Sequence, residues 1–448
     1  MNRDVILRHA APLPRYTSYP TANHFGPAVG AAEAGVWLET LPAGATLSLY
    51  LHIPFCRALC LYCGCTTKAT RRYAPVADYL AVLAREIDAI AGRVPAAHRV
   101  THVHWGGGSP DILTPADIER LGAQLRRRFT IDPEAEFAVE IDPRLLTAAQ
   151  ADAFGSIGVN RVSVGVQDFD PAVQRAIGRE QGYDTTARAV TLFRDRGIAS
   201  LNLDLVYGLP HQSEASVART LGQVLALAPD RVAIFGYAHL PSRLKHQRLI
   251  DGALLPGPAE RFAQARRMAG SLTGAGYVAR GLDHFARPGD RLASGPLFRN
   301  FQGYTTDSAD ALLGLGASAI SRLPDGYAQN ASAVGDYAAR VGGDGLATAR
   351  GRALTADDRV RAFVIERLMC DFAFSADAVE ARFGTAHAGT MGMLARAVME
   401  DDADGFLAPT ADGFRLTPPG MPFVRTICAR FDAYLPAQVG ARRHALSV

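Results

Sequence analysis

Short apolar runs alternate with amphipathic stretches along the first two thirds of the chain. The run TLSLYLHI at 46–53 has the apolar content of a strand. After it, Leu80, Leu83 and Ile87 recur at helical spacing, and Pro75 is well placed to start the helix. About six strand–helix units follow one another in this way. The alternation predicts parallel strands joined by right-handed crossover helices, in an open sheet or in a full or partial barrel.

The pattern places strands and helices at definite positions. The predicted strands are 46–53, 100–105, 136–141, 161–166, 200–208 and 231–240, and the predicted helices are 75–92, 115–129, 147–158, 185–197, 213–227 and 258–276. The region 282–307 has no clear periodicity but contains aromatic residues, which favours a functional loop over disorder.

The pattern changes from about Leu354 onward. Helices are predicted over 355–369, 375–384 and 391–402, followed by a hairpin that turns at Asp412-Gly413. This arrangement resembles a winged-helix unit, but it has no basic stripe, so a packing or lid role is favoured over DNA binding. We therefore expect an N-terminal extension (1–45), a catalytic domain (46–350) and a helical C-terminal domain (351–448).

Composition adds few constraints. The 448 residues are 48% hydrophobic and 20% charged, as in an ordinary globular protein, and no apolar run approaches the length of a membrane span. The N-terminus has no long apolar segment typical of a secretory signal, so a cytoplasmic location is expected. A net charge of +3 argues against nucleic acid as a partner. Lys68 and Lys245 are the only lysines, which we attribute to a general bias toward arginine.

Four of the six cysteines crowd into one loop directly after the first predicted strand. Cys56, Cys60, Cys63 and Cys65 have the spacing C-x3-C-x2-C-x-C. Soft thiolate ligands favour zinc, copper(I) or an iron–sulfur cluster. Zinc typically uses two separated C-x2-C pairs, whereas three close thiolates suit a cubane cluster with one iron left open; a structural zinc site remains the alternative. The other two cysteines, 370 and 428, are expected to be buried as small hydrophobic residues.

Polar residues and glycines follow the later strands. HWGGGSP, at 104–110, has a glycine triplet that allows close approach of the backbone to a ligand, and it lacks the Lys-Ser/Thr of a phosphate loop. Glu140, Gln167 and Asp204 each stand at the end of an apolar run. Since the carboxyl ends of parallel strands meet at one edge, these residues are expected to share a site.

The spacing of the first three cysteines is the signature of radical S-adenosylmethionine (SAM) enzymes, and the loop resembles theirs. Together with PRYTSYPT (14–21), CGC, GVQDF, YAHLP, DHFARP and RNFQGYTT, the chain resembles the oxygen-independent coproporphyrinogen III oxidases over nearly its whole length. The resemblance implies a radical-SAM partial (β/α)6 barrel. It also implies conversion of coproporphyrinogen III to protoporphyrinogen IX, in which a 5′-deoxyadenosyl radical starts the oxidative decarboxylation of two propionates to vinyl groups.

The same resemblance implies a [4Fe–4S] cluster on Cys56, Cys60 and Cys63, with no ligand role for Cys65, and two SAM molecules in one site. The residues that match contacts to the first SAM are Tyr50, Gly107, Glu140 and Ile320. Those that match contacts to the second are Tyr62, Gly108, Ser109, Gln167, Arg179, Asp204 and Ala238. No side chain is assigned as a catalytic acid or base. The segment RYTSYPT is expected to close over the cavity as a lid.

Three departures from the family pattern stand out. Ser109 replaces the usual threonine and keeps its hydroxyl, NRxQ is here GREQ, which keeps Arg179, and the segment before RNFQGYTT is a few residues shorter. As a hypothesis, Arg15, Arg287 and Arg299 bind substrate carboxylates. The expected partners are a porphyrinogen and an unidentified electron donor such as a flavodoxin-like protein, and the chain is expected to be a monomer.

Two other functions are considered. A related haem chaperone would share the radical-SAM core, but such proteins generally lack the RYTSYPT extension and have another residue in place of Cys65. A zinc-containing regulator would use the C-terminal unit on DNA, which the near-neutral charge disfavours.

Overall fold

The computed structural model describes residues 1–198 and 200–435. Its strands are β1 (Thr46–Ile53), β2 (Phe55–Cys56), β3 (Lys68–Ala69), β4 (Arg99–Gly107), β5 (Ile131–Ile141), β6 (Arg161–Gln167), β7 (Ser200–Tyr207), β8 (Arg231–Gly236), β9 (Val278–Arg280), β10 (His284–Ala286), β11 (Phe298–Asn300), β12 (Gly303–Thr305), β13 (Ala311–Leu315), β14 (Ile320–Leu323), β15 (Gly326–Asn330), β16 (Thr348–Ala353), β17 (Ala373–Ser375), β18 (Leu407–Pro409) and β19 (Gly413–Leu416).

The α-helices alternate with these strands in the first two thirds of the chain. They are α1 (Arg3–His9), α2 (Ala31–Glu39), α3 (Ala74–Ala91), α4 (Pro115–Arg128), α5 (Ala148–Ser156), α6 (Pro171–Ala176), α7 (Tyr183–Arg194), α8 (Glu214–Ala226), α9 (Pro258–Gly274), α10 (Arg291–Ser294), α11 (Val334–Gly343), α12 (Ala356–Asp371), α13 (Ala376–Phe383), α14 (Thr385–Glu400) and α15 (Val424–Ala429). No helix among the described residues is both long enough and apolar enough to cross a membrane.

One twelve-stranded sheet organises the larger part of the molecule, in the order β16-β15-β14-β13-β1-β4-β5-β6-β7-β8-β10-β9. The strands from β13 to β8 in that order are parallel. β1 and β4 to β8 are each followed by a helix, which confirms the predicted partial (β/α)6 barrel. The parallel strand β13, which lies on the other side of β1, was not predicted.

Local sequence signals start the crossover helices. In α4, the Thr114 side chain accepts a hydrogen bond from the Asp117 N–H, Pro115 occupies the first turn, and three arginines end the helix. In α5, Thr147 and Gln150 form a reciprocal capping box. These caps fix the residue at which each crossover helix begins, and so limit the length of the loop that joins it to the preceding strand.

The barrel strands alternate between an apolar outer face and a polar inner face. In β1, Leu47, Leu49 and Leu51 are almost fully buried in the main core, between the sheet and its helices. On the opposite face of the barrel strands, every second residue is polar, and these side chains line internal cavities. They include Ser48, His102, His104, Glu136, Glu140, Arg161, Ser163, Asn202, Asp204 and Arg231. The barrel interior is therefore a polar chamber rather than a second apolar core.

Some boundaries differ from the prediction. β8 ends at Gly236 rather than 240, because the chain turns there and the Tyr237 N–H donates to the Tyr207 carbonyl oxygen. The short helix α6 was missed. The region 282–307, which has no periodicity in sequence, contains β10, α10, β11 and β12. The C-terminal hairpin exists, but its turn precedes Gly413, which already pairs with Ser375 of β17.

The C-terminal residues form a second core with the N-terminal segment. α12, α13 and α14 pack against the three-stranded sheet β17-β19-β18. Cys370 and Cys428 are buried in this core, as predicted, together with Tyr16 and Tyr19 from the N-terminal segment. Through these contacts, the C-terminal part fixes the position of the N-terminal segment over the barrel.

Candidate active site

The cysteine loop lies at the carboxyl end of β1, where the predicted site should be. Cys56, Cys60, Cys63 and Cys65 all line one cavity of about 740 Å³ at this end of the barrel. β2 and β3 form a small parallel pair that brings Cys56 beside Ala69 and closes the loop on itself. The thiols of the loop therefore face one shared space, as the spacing predicted.

The donor set of this cavity is rich in thiols. Four cysteine side chains line it, and soft thiolate ligands favour an iron–sulfur cluster or zinc. The thiols also differ from one another. Burial raises the pKa of Cys56 to about 12, whereas hydrogen bonding from Cys65 lowers the pKa of Cys63 to about 6.

The glycine triplet that ends β4 is required by three separate contacts. A Cβ on Gly106 would lie 2.6 Å from the Glu140 carboxyl carbon, and one on Gly107 would lie 2.3 Å from the His52 ring. A Cβ on Gly108 would lie 2.5 Å from a backbone carbonyl oxygen of the cysteine loop. Gly107 also has φ +100°, which disfavours any side chain. The triplet therefore lets β4 pass directly beneath the cysteine loop.

Glu140, at the end of β5, is held by two donors. The Gly107 N–H donates to its Oε2 at 3.1 Å, and His104 Nε2 lies 3.0 Å from its Oε1. Burial would raise the pKa of Glu140, but the hydrogen bond and charge of His104 outweigh it and keep that pKa below its usual value. The carboxylate therefore stays ionised, and its side chain keeps 38% exposure at the cavity.

Two arginines approach Cys60 from β5 and the α6–α7 segment. Arg179 is buried, and its Nη1 lies 3.5 Å from Cys60 Sγ and 3.3 Å from Asp142 Oδ2. Arg144 pairs with Asp142 and donates to Cys60 Sγ at 3.6 Å. The sequence analysis missed Asp142 and Arg144, although both follow the end of a predicted strand. Together the two guanidinium groups and one carboxylate leave positive charge beside a thiol.

Gln167 is the last residue of β6, whereas Asp204 lies inside β7, three residues before its end, and not at a strand end as predicted. Gln167 has φ +68°, an unusual conformation for a residue with a side chain and one that often occurs at functional sites. Asp204 is partly buried and accepts hydrogen bonds from Ser163 at 2.6 Å and Asn202 at 2.7 Å. Burial raises its pKa. Both residues line the cysteine cavity.

The structure brings most of the predicted residues together. Those that line the cysteine cavity are Cys56, Cys60, Cys63, Tyr62, Gly107, Gly108, Ser109, Glu140, Gln167, Arg179, Asp204 and Ala238. Tyr50 and Ile320 do not line it. Tyr50 lies on β1 opposite His104 of β4 and Gly314 of β13, is partly exposed, and has its ring against that of His104, which does line the cavity. The backbone of Ile320 packs against the same glycine.

The segment after β8 also holds the cysteine loop, and the sequence analysis missed this role. His246 Nε2 lies 2.7 Å from the Cys63 carbonyl oxygen, and the buried Gln247 donates to the Tyr62 carbonyl oxygen at 3.0 Å. Gln247 also donates to the carbonyl oxygen of Ala238 at 3.1 Å. No sequence pattern marks these contacts, because they join residues about 185 positions apart.

The three arginines proposed for substrate carboxylates have different positions. Arg15 lines the cavity and donates to the Gly236 carbonyl oxygen at 2.7 Å. Arg287 lines a separate cavity at the amino-terminal ends of the strands. Arg299 donates to the carbonyl oxygens of Tyr16 and Arg15, both at 3.1 Å, and stacks on Tyr304. Only Arg15 is placed to meet a ligand in the site.

Comparison with known proteins places this architecture in a class. Residues 50–224 match the model of the radical SAM superfamily, and residues 354–423 match the HemN C-terminal domain. The fold and the cysteine-lined cavity thus define a radical SAM enzyme.

Individual relatives narrow the assignment. The chain is 50% identical to an oxygen-independent coproporphyrinogen III oxidase of Bradyrhizobium diazoefficiens, over 94% of this chain and 95% of that one. It is 47% identical to the Paracoccus denitrificans protein of the same name, over 96% of both. The solved structure of coproporphyrinogen III oxidase (HemN) from Escherichia coli, described as a radical SAM enzyme, superposes with a TM-score of 0.90 at 40% identity, covering 94% of this chain and 98% of that one. The chain belongs to the oxygen-independent coproporphyrinogen III oxidase family.

Proposed function

We propose that this chain converts coproporphyrinogen III to protoporphyrinogen IX without oxygen, by oxidative decarboxylation of two propionate side chains to vinyl groups. From each propionate, one hydrogen atom, carbon dioxide and one further electron must leave. The observation that carries the proposal is the shared cavity: three cysteines with radical-SAM spacing face the residues expected to hold SAM, in a chain of this family.

Cys56, Cys60 and Cys63 would hold a [4Fe–4S] cluster. When bound, the cluster and SAM supply the radical that abstracts hydrogen from the substrate. The protein's own contribution is electrostatic and steric. Arg144 and Arg179 place positive charge at Cys60, and the glycine triplet leaves room for a ligand against β4.

Two SAM molecules would share the cavity. For the first we assign Tyr50, Gly107, Glu140 and Ile320, and the ionised Glu140 would accept hydrogen bonds from its amino group. For the second we assign Tyr62, Gly108, Ser109, Gln167, Arg179, Asp204 and Ala238. All members of the second set line the cavity, which supports the assignment. In the first set, Gly107 and Glu140 line the cavity, Tyr50 packs against the lining residue His104, and Ile320 packs against Gly314.

The porphyrinogen would enter beside the N-terminal segment. Arg15 offers a guanidinium group at the cavity whose recorded partner is a neutral carbonyl oxygen, so we assign it to a substrate carboxylate. The division into an N-terminal lid (1–45), a catalytic domain (46–350) and a C-terminal domain (351–448) belongs to the same proposal. Contacts of Arg299 with the Arg15 and Tyr16 carbonyl groups, and of Arg425 with the Pro14 carbonyl group, support a lid that is held in place from both other parts.

The decisive experiment is anaerobic reconstitution followed by turnover. The iron-loaded protein is incubated with coproporphyrinogen III, SAM and dithionite, and the products are oxidised and separated by chromatography. Protoporphyrin and 5′-deoxyadenosine are expected together, with the Cys63→Ala variant as the inactive control. Tight haem binding without vinyl products would instead support the haem chaperone.

The role of Arg15 is tested in the same assay. Arg15→Ala should raise the KM for coproporphyrinogen about tenfold or more, because a charged hydrogen bond to a carboxylate is lost. Arg287→Ala is the matched control at the far end of the strands. An unchanged KM in Arg15→Ala would refute this assignment without affecting the reaction proposed.

A further inference from the structure

The cysteine loop and the segment after β8 that contacts it contain basic residues and no acidic ones. No Asp or Glu occurs between Glu39 and Asp78, or between Asp230 and Asp251, although the whole chain has 44 acidic and 47 basic residues. We call four exposed residues of these two segments the basic rim: Arg57, Lys68, Lys245 and Arg248. The rim includes both lysines of the chain.

The two lysines stand directly beside residues that touch the cluster cysteines. Lys68 follows Thr67, whose Oγ1 lies 3.2 Å from Cys56 Sγ, and pairs with Phe55 in the small sheet. Lys245 precedes His246, whose ring lies 2.7 Å from the Cys63 carbonyl oxygen. The two segments are thus in contact, and each rim lysine is the sequence neighbour of a residue that touches the cysteine loop.

The basic rim is exposed and has apolar side chains beside it. None of its four residues forms an ion pair with an acidic side chain in the part of the chain that the structure describes, whereas many arginines elsewhere do. Leu59 (36% exposed) and Leu249 (72% exposed) lie in the same two segments. Lone charges around exposed leucines are typical of a surface that meets a partner transiently, with charge directing encounter and a small apolar area making contact.

We propose that the basic rim is the docking site of a small acidic one-electron redox protein that reduces the enzyme. This inference rests on the proposed function, which requires an external electron and does not say where it enters. One electron leaves the reduced donor and enters the iron–sulfur centre, so the donor is oxidised by one electron and the enzyme reduced by one, and no bond or proton moves. Flexible lysines suit such a complex, because they attract a negative surface without fixing one geometry.

The test compares charge reversal in the rim with the same charge change elsewhere. The variant Lys68→Glu/Lys245→Glu is matched by Arg396→Glu/Arg415→Glu, two exposed arginines of the C-terminal part. Purified flavodoxin serves as the acidic probe. Calorimetry on the cluster-loaded enzyme should show that the rim variant binds oxidised flavodoxin about tenfold more weakly, with the wild-type affinity falling as salt rises. The control variant should stay within about twofold of wild type.

Turnover gives the second measurement. Rates are compared with flavodoxin reduced by NADPH and its reductase, and with dithionite. The ratio of flavodoxin-driven to dithionite-driven turnover should fall about tenfold in the rim variant and hardly in the control.

Several outcomes would overturn the proposal. Equal flavodoxin affinity in wild type and rim variant would do so, as would no measurable binding to wild type. An equal rise of the KM for coproporphyrinogen with both reductants would show that the rim attracts the acidic substrate instead. Wild-type enzyme without dithionite-driven turnover would count against the proposed function, and calorimetry would still decide about the rim.

Discussion

Two glutamates in this molecule use the same local device for different ends. Glu140 accepts the N–H of Gly107, which ends β4 with φ +100°, and Glu86 on α3 accepts the N–H of Gly316, which follows β13 with φ +101°. In both places a glycine at the end of a parallel strand turns its N–H toward a carboxylate. The similarity ends with the surroundings of the two side chains.

Glu86 is completely enclosed. Its carboxylate also accepts hydrogen bonds from Asn330 at 2.6 Å and from Tyr337 at 2.8 Å, and burial raises its pKa to about 7. Glu140 has the imidazole of His104 beside it and an open cavity in front, and its pKa is lowered. Enclosure with neutral donors makes a structural connection, whereas an imidazole neighbour and an open face make a binding edge.

The largest effect should come from the cavity side. Cys63→Ser should abolish turnover and remove most of the bound iron and sulfide, because one cluster ligand is lost. Cys370→Ala, a cysteine change in the C-terminal core, should retain iron and turnover. Iron and sulfide analysis per chain, done anaerobically, checks both. Full iron content in Cys63→Ser would mean that this thiol is not a ligand.

Replacing each of the two glutamates with alanine distinguishes a role in folding stability from a role in SAM binding. Glu86→Ala should lower the free energy of unfolding by about 3 kcal/mol, because three buried donors lose their acceptor and a cavity forms. Glu140→Ala should lower SAM affinity about ten- to a hundredfold, with a much smaller loss of stability. Chemical denaturation and equilibrium SAM binding are measured on both variants. A Glu140 variant that loses as much stability as Glu86→Ala would erase the distinction.

The pH dependence of stability should have opposite signs at the two sites. The raised pKa of Glu86 means that the native state holds this proton more tightly than the unfolded chain does. Its contribution is therefore fully present below about pH 4.5 and is lost as pH rises through about 7, by up to about 3 kcal/mol. The lowered pKa of Glu140 gives a contribution to stability that is present above the ordinary pKa of a glutamate. That contribution is lost as the pH falls through the lower pKa of the native state.

Unfolding of wild type, Glu86→Gln and Glu140→Gln between pH 4 and pH 8 measures these slopes. Glu86→Gln should flatten the decline between pH 5 and pH 7, and Glu140→Gln should leave that decline in place. A decline that persists unchanged in Glu86→Gln would assign it to other groups.

The smallest effect is expected for the family departure at the cavity. Ser109→Thr should change turnover by no more than about twofold, because the hydroxyl that donates to Asp111 is kept. Ser109→Ala should cost more, since the buried Asp111, whose pKa burial raises to about 7, loses a donor. Steady-state kinetics of the two variants would show the order, and a larger defect in the threonine variant would reverse this argument.

The sequence predicted the barrel and most of the cavity lining because both rest on local patterns. Strand–helix alternation fixes parallel strands, and residues at successive strand ends must meet at one edge. It could not place Arg287, which lies at the wrong end of the strands, or separate Tyr50 and Ile320 from the lining. Those distinctions depend on the direction of each side chain and on its tertiary surroundings, which spacing along the chain does not encode.

What the sequence by itself determined is the set of local features: the cysteine spacing, the glycine triplet, and the caps that start the crossover helices. Only the tertiary structure decided that the inner faces of the strands form a polar chamber. It alone brought Gln247 to the cysteine loop, and with it Lys245. The reason is physical, since contacts between distant residues arise from how the whole sheet curves and closes, and each short segment is compatible with many such arrangements.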